Sequence, residues 1–355
     1  MIIWFDAVTA KEPLLFDAVA TELEKLGHEV IFTCREYDYV SSLFDLLKRD
    51  VKVLGKHGGG TLYGKLIAGN TRINLLAEYI HNLGKKPDIH ISFACPESTR
   101  VAFGLGIPVI NVNDSPHAKA VGKLTIPLTK YLVYSSSIRK ENWLKLGALD
   151  AQFYPYDGID EVAWLTDFSA KEETLEMLNL SKEDKFIIAR PEESSAAYML
   201  DKKMAGQTLL DEILLAIFDV YDGKAIVFPR YESQKEFLLK KFGNKIIIPP
   251  KAVDTLSLYY FSDLCITGGA TMAREAAALG TPSISYYPKP LEVLEYIASI
   301  GIPLFNEFTL QEAISRAKDL LMNPVNKTVM RNQVQSILEK LESPADKIVE
   351  ILEQK

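Results

Sequence analysis

The run Ile2-Ile3-Trp4-Phe5, the helical pattern over residues 13–26 and the segment Gly27-His28-Glu29-Val30-Ile31-Phe32 together decide the fold class. The first four residues are a short apolar run closed by Asp6, as in a strand buried on both faces. Leu15, Val19, Leu23 and Leu26 then recur at helical spacing, and Gly27 stands where a helix ends best in a left-handed residue. A second apolar run follows at once, so the unit reads as strand, helix, parallel strand.

The same alternation continues along the chain. Strands are predicted at 51–54, 89–93, 108–112 and 131–134, with helical segments around 64–83, 97–105 and 138–146. The turn-rich Tyr154-Pro155-Tyr156-Asp157-Gly158-Ile159-Asp160 and the charged, partly helical 171–184 place a domain junction between them. A second series of strands follows at 186–189, 225–228, 245–248, 264–266 and 283–286. After residue 309 the pattern is helical throughout, ending in Pro344 and the amphipathic Ile348-Val349 and Ile351-Leu352. The fold class is therefore α/β, with two doubly wound Rossmann-like domains, 1–165 and 166–335, and a helical segment, 336–355. Such sheets bind ligands at the carboxyl ends of their strands, which directs attention to a cleft between the domains.

Composition sets the limits. The 355 residues suffice for two cores, and 48% hydrophobic with 25% charged residues is ordinary globular usage. Forty Lys and Arg against 47 Asp and Glu give a net charge of −7, so nucleic acid is not an expected partner. Cys34, Cys95 and Cys265 lie far apart, without a C-x-x-C pair, which argues against a disulfide framework or zinc knuckle. The amino terminus lacks the pattern of a signal peptide, and charges interrupt every apolar run well short of the roughly 18 residues a membrane span needs. A cytoplasmic protein with no transmembrane segment is expected.

The most informative stretch is Asp263-Leu264-Cys265-Ile266-Thr267-Gly268-Gly269-Ala270-Thr271-Met272-Ala273-Arg274-Glu275-Ala276-Ala277-Ala278-Leu279-Gly280-Thr281-Pro282. A buried strand runs through a Thr-Gly-Gly turn into an alanine-rich helix, which offers main-chain N–H groups and the positive end of a helix to an anion. The alternative is a tight turn followed by a solvated Glu275. This pattern resembles the nucleotide-sugar site of GT-B glycosyltransferases and the related UDP-N-acetylglucosamine 2-epimerases. The resemblance implies that Thr267, Gly268, Gly269, Ala270 and Thr271 surround a diphosphate and that Glu275 holds a ribose.

Further segments narrow the resemblance. Leu26-Gly27-His28-Glu29-Val30 with Thr33-Cys34-Arg35, Gly55-Lys56-His57-Gly58-Gly59, and Cys95-Pro96-Glu97-Ser98-Thr99-Arg100-Val101-Ala102-Phe103-Gly104-Leu105-Gly106-Ile107-Pro108 look like the archaeal-type domain-of-unknown-function 354 family, as do Ile188-Ala189-Arg190-Pro191-Glu192 and Phe228-Pro229-Arg230-Tyr231-Glu232. The resemblance implies a GT-B-like fold, an acceptor and catalytic side in the first domain, a nucleotide-sugar domain second, and carboxy-terminal helices crossing back to the first domain.

Arg190 and Arg230 follow successive strands, where guanidinium groups suit phosphate oxygens; the competing reading pairs them with Glu192 and Glu232 on the surface. Ser194 and Ser195 are further hydroxyl donors. In the amino-terminal half, the loop Asp6 to Pro13 lacks the glycines and histidine of many GT-B transferases; the resemblance to the epimerases, which use several carboxylates in this half, implies Glu97, Asp114 and His117 as acid–base candidates. Asp114-Ser115-Pro116 also reads as a helix cap. Gly59-Gly60-Thr61-Leu62-Tyr63-Gly64-Lys65-Leu66 imitates a Walker loop, but Leu66 stands where a magnesium-binding hydroxyl belongs. No D-x-D pair or metal-ligand spacing occurs, so neither metal nor other cofactor is expected.

The expected activity is metal-independent glycosyl transfer from a nucleotide sugar, UDP-linked by resemblance. The alternatives are a UDP-N-acetylhexosamine 2-epimerase or hydrolase, and a non-catalytic sugar-nucleotide-binding protein. The acceptor is left open and a homodimer is admitted.

Overall fold

In a computed structural model, residues 1–37, 39–192 and 206–354 are described. The chain divides into two compact units, Met1–Trp164 with Leu341–Lys355, and Leu165–Lys340.

The first unit carries seven parallel strands, β1 (Ile2–Ala7), β2 (Glu29–Glu36), β3 (Lys52–Lys56), β4 (Ile89–Ser92), β5 (Val109–Val112), β6 (Tyr131–Ser135) and β7 (Gln152–Tyr156), in the order β3-β2-β1-β4-β5-β6-β7. Because side chains alternate along a strand, Ile3 and Phe5 of β1 enter one core and Trp4 the other. The helix Glu12–Lys25 covers the first of these faces with Leu15, Phe16, Val19 and Leu23. That helix ends as its sequence requires: Gly27 has φ +80, its N–H bonds to Glu24 O at 2.9 Å, and His28 N–H bonds to Leu23 O at 3.1 Å. The last helix, Pro344–Glu353, inserts Ala345, Ile348, Ile351 and Leu352 into the same core. Burying each of the three larger side chains contributes about 1.5–3 kcal/mol, which is why this segment belongs to the first unit.

One ion pair ties the centre of this sheet together. Arg72, on the helix Leu62–His81, donates to both carboxylate oxygens of Asp6 at 3.0 and 2.6 Å and to Leu54 O at 3.0 Å. Trp4 donates to the Thr33 hydroxyl, which donates in turn to Asp6. Burial pushes the Asp6 carboxyl up, but the Arg72 charge and these donors leave it below its ordinary range. On the same face of the sheet His90 is wholly buried, stacked on Trp4 with Nδ1–H donating to Trp4 O at 2.9 Å.

The second unit has six parallel strands, β8 (Phe186–Arg190), β9 (Lys224–Val227), β10 (Ile246–Ile247), β11 (Cys265–Thr267), β12 (Ser283–Ser285) and β13 (Leu304–Asn306), in the order β10-β9-β8-β11-β12-β13. Its core joins Ile187, Val227 and Ile266 to Leu210, Ile213, Leu214 and Ile217 of the helix Leu209–Phe218.

Two strands depart from the sequence expectation. β7 occupies the stretch expected to be only a turn-rich junction, and it tolerates Pro155 because it is an edge strand with β6 as its one neighbour. β13, a three-residue edge strand paired with β12, lies where no strand is expected. Among the described residues no helix is long and apolar enough to cross a membrane.

Burial holds His90 neutral and lowers its pKa from 6.5 to about 4. The unfolded chain therefore takes up the proton first, so the stability linked to neutral His90 is complete above pH 6.5 and is lost as pH falls toward 4. Urea unfolding of wild type and His90→Gln should show the wild-type advantage shrinking between pH 7 and pH 4 by on the order of 3 kcal/mol. A difference that stays constant with pH would contradict the buried neutral imidazole.

Candidate functional site

In the second unit the parallel register sets Thr267 of β11 beside Arg190 of β8. Both strands end there, and Gly268 and Gly269 turn the chain into the helix Thr271–Ala278. Gly268 is required by space: a Cβ would collide with the Cα and Cβ of Glu192. A Cβ on Gly269 would lie 3.3 Å from Arg230 Nη2, so the guanidinium lies across the turn. Arg230 is directed there by Nε–H donating to Pro191 O at 3.1 Å and by its N–H donating to Gln234 Oε1 at 2.9 Å. Arg190 Nη1 lies 3.8 Å from Met272 Sδ in the first turn of the helix.

The glycine amides bond within the protein. Gly268 N–H donates to Arg190 O and Gly269 N–H to Thr267 Oγ1, both at 3.1 Å, so they hold the turn. The helix behind the turn starts at Ala270 without a side-chain cap. Its first-turn N–H groups, from Ala270 and Thr271 onward, are thus the donors that an anion would meet. Glu275 is 4% exposed rather than solvated. After burial itself, its charge is the largest influence pushing up the Tyr259 phenol and the Cys265 thiol.

The surface pairing of the arginines is not what forms. Glu192 is buried against Leu209 N–H and the Tyr286 hydroxyl, and Glu232 pairs with Lys235 at 2.8 Å. Ser194 and Ser195 lie outside the described residues.

In the first unit, Asp114 follows β5 and its carboxylate meets Lys11 Nζ at 2.8 Å and the Ser115 hydroxyl at 2.6 Å. It caps no helix; the next one, Lys119–Thr125, starts at Ala118 with no side-chain cap. Lys11 also binds Asp160, which accepts from Tyr156, and its ammonium lies 4.4 Å from the centre of the Phe93 ring. Glu97 is half-buried, accepting from the Cys95 thiol at 3.3 Å, while Arg72 Nη1 lies 3.4 Å from the same sulfur. His117 is exposed. Glu12 is buried beneath this edge and bonded by Val8 N–H and Thr9; burial raises its pKa to about 7 against those donors. Among the described residues no group of three or more His, Cys, Asp or Glu is placed to hold a metal ion.

The Walker-like segment is a helix start. Thr61 accepts from Gly64 N–H at 3.0 Å and Gly58 packs against the Gly64 backbone. Lys65 lies inside the helix, exposed.

Sequence reading missed Lys11, Asp160, Arg72 and Tyr286. Asp6 ending an apolar run and Lys11 in the same first loop were signals of a charged strand edge, but their partners lie 66 and 149 residues away.

The family described as "Protein of unknown function (DUF354)" matches residues 1–353. The chain belongs to that family. The uncharacterized protein MJ0665 of Methanocaldococcus jannaschii is 34% identical over 294 residues, covering 81% of this chain and 82% of that protein. The fold is similar to that of UDP-GlcNAc 2-epimerase from Neisseria meningitidis bound to UDP-GlcNAc, with TM-score 0.75, 14% identity and full coverage of both chains. It is also similar to the spinosyn forosaminyltransferase SpnP, with TM-score 0.58, 14% identity and coverage of 100% of this chain and 98% of that one. At such identities the likeness is one of fold, and this DUF354 protein consists of α/β units of GT-B type.

Gly268→Ala should lower stability by about 1–3 kcal/mol because Glu192 backbone blocks the added methyl. Gly60→Ala, with nothing within 4 Å of its added carbon, is the control. Thermal unfolding of both variants checks this; equal melting temperatures would mean that the turn has slack.

Proposed function

We propose that this DUF354 protein is an enzyme that binds a UDP-sugar through the second unit, breaks the bond between the anomeric carbon and the diphosphate, and transfers the glycosyl group to an acceptor. The observation that carries the reading is the uncapped start of the helix Thr271–Ala278 between Arg190 and Arg230. Main-chain donors, a helix dipole and two guanidiniums together supply what a diphosphate needs, first as a ligand and then as a leaving group gaining charge. The UDP-GlcNAc named for the Neisseria epimerase supports the nucleotide and the sugar class. Glu275 is assigned the ribose hydroxyls, and Glu97, Asp114 and His117 the acid–base work.

A second reading, 2-epimerisation or hydrolysis, draws support from the carboxylates Asp114 and Asp160 around Lys11. Such a reaction needs acids and bases on the sugar but no acceptor site.

Calorimetry should detect UDP binding to wild type. Arg190→Met should weaken it roughly tenfold or more while leaving uridine affinity unchanged, since only the diphosphate meets the guanidinium. Unchanged UDP affinity would remove Arg190 from the site, and an absence of UDP and UDP-sugar binding to wild type would overturn the proposed function. Chromatographic separation of the sugar nucleotides after incubation with UDP-GlcNAc alone separates the readings: an epimer or free UDP favours epimerisation or hydrolysis, whereas release of UDP only with added acceptors favours transfer.

A further inference from the structure

The segment Arg190-Pro191-Glu192 places a carboxylate immediately behind the proposed phosphate-binding arginine, and nothing in the chemistry above uses it. Glu192 is 2% exposed, so it cannot be a surface partner. Its Oε1 accepts Leu209 N–H at 2.6 Å, and Leu209 is the first residue of the helix Leu209–Phe218. Its Oε2 lies 3.1 Å from the hydroxyl of Tyr286, which follows β12 and is also 3.2 Å from Arg190 O. Its main-chain oxygen accepts from Gln234 Nε2 at 3.4 Å, while Gln234 Oε1 fixes the Arg230 N–H. Its Cα and Cβ fill the space a side chain at Gly268 would need.

A buried carboxylate must be compensated, and here an orphan donor at the positive end of a helix and a phenol do so. An apolar residue would leave Leu209 N–H and the Tyr286 hydroxyl without that acceptor. The same side chain therefore ties the carboxyl ends of β8 and β12, the start of a helix and the back of the glycine turn to one point.

We infer that Glu192 is a positioning residue: it fixes where Arg190, Arg230 and the Gly268-Gly269 turn stand, so that an anion meets a preformed site. Its ligand consequence rests on the proposed UDP-sugar reading, whereas the ordering of the turn does not.

The experiment compares full-length wild type, Glu192→Ala, Glu192→Gln and Tyr286→Phe by hydrogen exchange over residues 264–272 without ligand, by calorimetry with UDP, and by thermal unfolding. Glu192→Gln retains an acceptor for Leu209 and a donor for the Tyr286 oxygen, so its exchange and UDP affinity should stay within about threefold of wild type. Glu192→Ala should exchange at least about tenfold faster in this segment and bind UDP about tenfold more weakly at a temperature where it is folded. A merely structural role would lower the melting temperature yet leave exchange in the turn and UDP affinity of the folded protein unchanged, and that result overturns the inference. If Glu192→Ala fails to fold, Tyr286→Phe, which removes one hydroxyl, should show the same two changes in smaller degree; wild-type exchange and affinity there overturn it equally. If wild type itself does not bind UDP, the proposed function falls and the exchange comparison alone decides the positioning role.

Discussion

A parallel sheet with helices packed on its faces leaves few places where charged side chains can gather, and the edge at which its strands end is the main one. Apolar strand interiors exclude charge, so polar groups reached by the chain collect at the carboxyl edge or must be matched within the core. In the first unit Asp6 illustrates the constraint. It is wholly buried, and it remains ionised because Arg72 meets it with two hydrogen bonds and Thr33 with a third. Without Arg72 the carboxylate would stand uncompensated, a defect that costs about 3–5 kcal/mol in comparable pairs. The helix Leu62–His81, the middle of β3 and Cys95 are all referred to that guanidinium.

At the strand ends of the second unit the same constraint is met by backbone. The close approach of Gly268 to Glu192 lets β8 and β11 end side by side, and the amides of both glycines are consumed in holding that geometry. The positive end of the following helix is consequently left to the groups around it. Arg190 and Arg230 stand beside it, in a chain whose overall charge is −7. Net charge therefore describes the partners of the whole surface and not those of one site.

Fold and chemistry are legible to different degrees. The strand and helix alternation of a DUF354 chain appears directly in its apolar runs, and Gly27 adopts the left-handed conformation that its place after Leu26 calls for. β13 was not anticipated although β11 and β12, equally short, were, and β7 was hidden because Pro155 argues against a strand wherever the strand is not known to lie at an edge. Arg190 and Arg230 stood out by their positions after strands, and the competing reading paired them with Glu192 and Glu232 by proximity in sequence. In three dimensions Glu192 turns inward and Glu232 finds Lys235.

The sequence by itself determined the class of fold, the Thr267 to Glu275 turn and helix, and the family, because each depends on residues within one or two turns or strands of one another. Only the tertiary structure decided that Lys11 stands between Asp114 and Asp160, that Arg72 neutralises Asp6, and that the glycine amides bond within the turn. Periodicity records which way a side chain points relative to its own element. The pairing of charges from distant segments follows from strand order and register, which bring residues scores of positions apart to one edge, and no local pattern encodes that distance.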